Sequence, residues 1–136
     1  MNKNKQKRLK AFTLTEVMVV LVIIGILMLI ALPNLTGLFG KAHALEAQKQ
    51  LQYLAALEET FYQTKARYSD DFGELGFTPP KTVQTDGDAK YNYEIIRVSQ
   101  SSFLARATAV VDFDKDGVLN VWEVSEDGKV LQTVAD

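Results

Sequence analysis

Four carboxylates fall within one twelve-residue stretch, Asp112, Asp114, Asp116 and Glu123, with Gly117 at its sixth place. The stretch satisfies D-x-[DN]-x-[DN]-G-x5-E, the spacing of a calcium loop. Calcium takes six to eight oxygen ligands, and carboxylates at alternate loop positions converge on one point while glycine permits the sharp turn. In this reading the Val118 carbonyl is a ligand, Asn120 acts directly or through water, and Glu123 closes the site. The flanks, Val110, Val111, Val121, Trp122 and Val124, favour strands and not the helices of an EF-hand. Without an exiting helix to position Glu123, the three aspartates are the firmer ligands. The competing reading is an acidic hairpin loop with Asp-Gly turn chemistry and no ion. A fifth carboxylate, Glu16, lies in an apolar run, where an unpaired charge costs a few kcal/mol unless it sits at headgroup level. The chain has no cysteine and one histidine, His43, so disulfides, zinc–thiolate sites and a cysteine nucleophile are excluded and a multi-histidine site is unsupplied. His43 reads as a surface or packing residue.

The elements that carry these groups follow from charge and hydropathy. Val17 to Leu32 is uncharged, and extension back to Phe12 gives about twenty residues with one acid, enough for a membrane-spanning helix. Residues 1–11 carry Lys3, Lys5, Lys7, Arg8 and Lys10 and no acid, a charge of +5. The remainder, with ten basic and seventeen acidic side chains, carries −7. The basic leader predicts a cytoplasmic N-terminus and an exported acidic remainder. The run is longer than a signal-peptide core and ends in the poor cleavage site Ala31-Leu32-Pro33-Asn34, which favours a retained anchor. The near-neutral total argues against nucleic-acid binding by bulk charge.

Beyond Pro33, residues 34–68 continue the helix. Leu38, Ala42, Leu45, Leu51, Leu54, Leu57 and Phe61 mark its apolar stripe, with Lys41, Glu46, Lys49, Glu58 and Glu59 mostly between. Pro33, Gly37 and Gly40 weaken it at the membrane exit. Residues 69–90 form a loop in which Ser69-Asp70-Asp71 caps a short turn over Phe72–Leu75, and Asp70, Asp71 and Glu74 make a solvated acidic face. Strands are predicted over 91–98, 102–111, 119–124 and 129–134, the last two joined by the turn Ser125-Glu126-Asp127-Gly128. The fold class is α+β: a long N-terminal helix on a small antiparallel meander. No nucleophile motif, phosphate loop or triad is present, which argues against an enzyme.

Lys10-Ala11-Phe12-Thr13-Leu14-Thr15-Glu16-Val17 resembles the processing site of type IV prepilins and type II secretion pseudopilins. The resemblance covers about residues 1–68. It implies that a membrane-embedded prepilin peptidase and methylase cuts between Ala11 and Phe12 and N-methylates Phe12. Glu16, one helical turn from the new amino group, is then the residue that docks subunits. Gly25 and Pro33 fall where the family has a helix glycine and a helix-kinking proline. Ala11 departs from the usual Gly, which implies retained but slower cleavage. The implied protein is a single-pass inner-membrane precursor with a periplasmic head. Its partners are identical subunits in a filament, other pseudopilins, the inner-membrane assembly platform and the membrane itself. Major pseudopilins bind calcium in a C-terminal loop, where many type IV pilins close that region with a disulfide. The expectation is therefore a major pseudopilin of a periplasmic pseudopilus, with calcium at Asp112, Asp114 and Asp116. The alternative is a type IV pilus subunit for adhesion, motility or DNA uptake.

Overall fold

A computed structural model describes residues 11–135, the side chains of 33–36 excepted. The leader sites expected at positions 1–10 lie outside the described residues. The chain divides into two units, Met1–Leu35 and Thr36–Asp136. Helix α1 runs from Leu14 to Lys65 and supplies residues to both.

In the first unit every described helix side chain is exposed, among them Val17, Leu21, Ile24 and Met28. This leaves a continuous apolar helix surface with no partner among the described residues of its own unit. An added Cβ at Gly25 would meet nothing within 4 Å among the described residues.

In the second unit, α1 is followed by α2 (Phe72–Leu75) and four strands, β1 (Tyr91–Val98), β2 (Phe103–Ala109), β3 (Val121–Ser125) and β4 (Val130–Val134). They form one antiparallel meander in the order β1-β2-β3-β4. Strand β2 alternates cleanly: Phe103, Ala105, Ala107 and Ala109 are buried and the residues between are half-buried. Three alanines in that row leave room for side chains of α1 against the sheet. Ala47, Leu51, Leu54 and Ala55 of α1 enter the core beside them. Burial of a leucine such as Leu51 or Leu54 stabilises by about 1.5–3 kcal/mol.

The helix face differs from the expected stripe. Leu51 and Leu54 are buried and Leu57 and Phe61 pack at the core margin, but Leu38, Ala42 and Leu45 are exposed. The inward row is Ala44, Ala47, Leu51, Leu54, Ala55 and Glu58, a helical repeat of three and four. Leu38, Ala42 and Leu45 lie on the other side of that period. The inward row also takes in Glu58, a position the sequence places among the polar ones.

The short turn forms as expected. The Asp71 carboxylate accepts the Gly73 N–H at 2.7 Å, and Gly76 closes α2 at φ 70°. The acidic face is less free than expected: Glu74 accepts from Ser69 Oγ at 2.7 Å and pairs with Arg67 at 3.2 Å.

Between α2 and β1 the chain folds on itself, with Gly87 N–H donating to the Thr82 carbonyl (2.9 Å) and Ala89 N–H to that of Lys81 (3.1 Å). A Cβ on Gly87 would lie 2.1 Å from the Lys81 carbonyl oxygen. Backbone must move to admit it, so Gly87→Ala is expected to destabilise by about 1–3 kcal/mol. Thermal denaturation should report this as a loss of roughly 4–8 °C per kcal/mol; an unchanged midpoint would show that the loop relaxes freely.

Candidate functional sites: the helix N-terminus and the acidic loop

At the N-terminal site, Thr13 and Glu16 exchange hydrogen bonds: Glu16 N–H donates to Thr13 Oγ1 at 3.2 Å, and Thr13 N–H to Glu16 Oε2 at 3.5 Å. This is a capping box, legible as Thr-x-x-Glu just before the apolar run, and it satisfies two orphan donors of the first turn. Within the chain the carboxylate therefore has a local role at the helix start, where negative charge also complements the helix dipole. Phe12 precedes the cap and is 79% exposed. Leu14–Leu32 is one helix long and apolar enough to cross a membrane. Its nineteen residues span about 28 Å at 1.5 Å per residue, close to the thickness of a hydrocarbon core.

At the second site, the loop between β2 and β3 gathers the three aspartates. One carboxylate oxygen from each of Asp112, Asp114 and Asp116 lies within 4.8 Å of the others. Backbone amides organise them. Asp112 accepts from Lys115 N–H (2.6 Å) and Gly117 N–H (2.8 Å), Asp114 from Asp116 N–H (3.1 Å), and Asp116 from Val118 N–H (2.7 Å). Lys115 and Gly117 turn the chain through positive φ, at 67° and 88°. Phe113 anchors the loop on the helix: its Cβ comes within 3.3 Å of a Cβ built on Gly40, and its ring stacks on His43 at 5.8 Å. His43 is thus a packing residue, with Glu46 3.7 Å away. Three hard oxygen donors so close together fit calcium chemistry.

The rest of the twelve-residue pattern goes elsewhere. Glu123 stands on β3 opposite Arg106 of β2, and its Oε1 accepts from Arg106 Nε at 2.7 Å and Nη2 at 2.6 Å. It is not among the carboxylates gathered in the aspartate cluster, and the strand that stands in place of an exiting helix turns it to a cross-strand partner. Asn120 is buried, and its Oδ1 accepts from Gln132 Nε2 at 3.0 Å. Val118 is exposed and follows the cluster directly. The Arg106–Glu123 pair depends on strand register, which no sequence signal in the loop specifies.

An apolar N-terminal helix followed by a helix and a four-stranded antiparallel sheet is the pilin-like α+β arrangement. Residues 6–32 match the prokaryotic N-terminal methylation motif. The chain is 40% identical over 74 residues to the type IV major pilin protein PilA of Myxococcus xanthus (strain DK1622), covering 54% of this chain and 34% of that relative. The match spans about a third of the relative's length. In motif and in this relative the chain is similar to type IV pilin-like, prepilin-type proteins.

Proposed function

We propose that the chain is a structural subunit of a pilin-like filament, inserted through Leu14–Leu32 with its N-terminus cytoplasmic and processed before Phe12. The carrying observation is the methylation motif over residues 6–32, in which Leu14–Leu32 is helical and carries apolar side chains that stay exposed among the described residues. In the filament that surface is buried against identical helices, and Glu16 meets the Phe12 amine of a neighbour. The finer reading is a major pseudopilin of a type II secretion system, supported by the aspartate cluster and the absence of cysteine. In that reading Asp112, Asp114 and Asp116 hold calcium, which neutralises their repulsion and ties the β2–β3 loop. The second reading is a type IV pilus subunit, favoured by the relative's being a type IV major pilin.

Processing is tested by intact mass and N-terminal sequencing of protein extracted from membranes. The expected product begins at N-methyl-Phe12; a mature start near Asn34 would establish a secretory signal peptide instead. Deletion of the gene distinguishes the two filaments. Loss of exoprotein secretion without loss of sheared surface fibres supports the pseudopilus, and the converse supports the pilus.

A further inference from the structure

Glu58 is fully buried, on the inward face of α1. Its Oε2 accepts the N–H of Ser69, itself fully buried, at 3.0 Å. Its Oε1 is buried with no hydrogen-bond partner. Buried carboxylates are usually paired with a cation or fully hydrogen-bonded, and a bare charged oxygen in the interior is costly. Among the described ion pairs none includes Glu58. The nearest cation in sequence on the facing loop, Arg67, is held by Glu74 at 3.2 Å and lies over the Phe61 ring at 5.1 Å.

We propose that Glu58 is a proton-operated latch between α1 and the loop Ser69–Gly76: with its carboxyl neutral the loop stays docked, and with the carboxyl ionised the loop opens to admit water. The loop is a suitable moving part. Ser69 Oγ accepts from Asp71 N–H at 3.1 Å and donates to Glu74, which also pairs with Arg67, so the polar end of the loop can part from Glu58 while Leu75 keeps its place in the core. The Glu58–Ser69 bond joins that network to the helix.

The direction of the pH response follows from the surroundings. Burial pushes the Glu58 carboxyl above its ordinary value of 4.5; the Ser69 N–H opposes this and the charge of Asp70 reinforces it. The other titratable groups around this corner are the acids Glu59, Glu74 and Glu126, the phenols Tyr62 and Tyr68, and the cations Arg67 and Lys65, whose charges act on Glu74. Tyr68 from the loop has its hydroxyl raised by burial, with Glu59 and Glu58 of α1 and Glu126 of the β3–β4 turn adding to the effect. Glu74 is held below the usual carboxylate range, chiefly by Ser69, and stays ionised through the window. A carboxyl raised in the docked state stabilises docking fully below its ordinary value, and that contribution is lost as pH rises through the raised value. Loop opening therefore increases with pH, by up to tenfold per unit inside that window for one proton.

Hydrogen exchange on the full chain in detergent micelles, corrected for intrinsic exchange, tests this between pH 5 and 8. Protection of the Ser69–Gly76 amides should fall with rising pH while that of Phe103–Ala109 holds. In Glu58→Gln, which keeps an acceptor for Ser69 and cannot ionise, loop protection should be independent of pH. Equal pH dependence in the wild type and Glu58→Gln overturns the latch. If the variant does not fold, carbon-13 titration of the wild-type Glu58 carboxyl decides. The Ser69 amide shift must follow the same midpoint above the ordinary carboxylate value; a Glu58 that titrates in the ordinary range, or without moving Ser69, rejects the proposal.

Discussion

Glu16→Val is expected to abolish filament yield while leaving the chain in the membrane. The exposed helix Leu14–Leu32 has no other acid, so removing this one makes insertion easier, not harder. In the proposed filament, what is lost is the pairing of the carboxylate with the Phe12 amine of a neighbour in a low-dielectric setting. The capping box complicates a simple reading, because valine also removes the Glu16–Thr13 interaction. Loss of a helix cap costs about 1 kcal/mol, enough to fray one turn and not to eliminate assembly. Glu16→Gln separates the two effects, since glutamine serves in a capping box and carries no charge. Crosslinking on membranes and a count of sheared filaments measure the result. If docking needs the charge, both variants fail alike; if Glu16→Gln assembles normally, the carboxylate serves the helix cap and not the neighbour.

The second large effect is expected at the acidic loop. Calcium that binds only the folded chain stabilises it by RT ln(1 + [Ca]/Kd), about 2.7 kcal/mol at a hundredfold excess over Kd. For a unit the size of Thr36–Asp136 each kcal/mol moves the melting midpoint by roughly 4–8 °C. The full chain in detergent should therefore melt about 10–20 °C higher in calcium than in chelator. Magnesium should substitute poorly, because it holds its water and demands tighter octahedral geometry. Asp114→Ala should remove the shift, and Glu126→Ala, an acid in the next turn, should retain it. Glu123→Ala provides a sharper control. Having Arg106 as its partner, Glu123 should lower stability equally with and without calcium when truncated. A calcium shift lost in Glu123→Ala would establish it as a ligand, and identical wild-type melts in calcium and chelator would make the loop an ion-free acidic turn.

The contrast between the three aspartates of this loop and Glu123 shows where sequence reading stops. The aspartates are local: alternate positions, a glycine and the turn they specify bring Asp112, Asp114 and Asp116 together by short-range geometry. Glu123 fits the same pattern equally well by spacing, yet its partner comes from a strand seventeen residues away. The same distinction holds along the helix. Continuous apolarity over Val17–Leu32 is a property of composition, so the exposed unit is readable without any tertiary contact. The strands of the meander are likewise readable from alternation, β-branched residues and the Ser125–Gly128 turn, because each is bounded by local chemistry.

Sequence alone thus determined the apolar run, the basic stretch before it, the helix-then-meander order and the clustering of the three aspartates, all set by interactions within a few residues. Tertiary structure decided which side of the amphipathic half of α1 is buried, because three alanines of β2 select the Ala47–Leu51–Leu54 face over the one bearing Leu38 and Leu45. It also decided that Glu58 is sealed under Ser69 and that Glu123 pairs with Arg106. Those outcomes rest on contacts between segments distant in the chain, where period and composition leave several faces open and packing admits one.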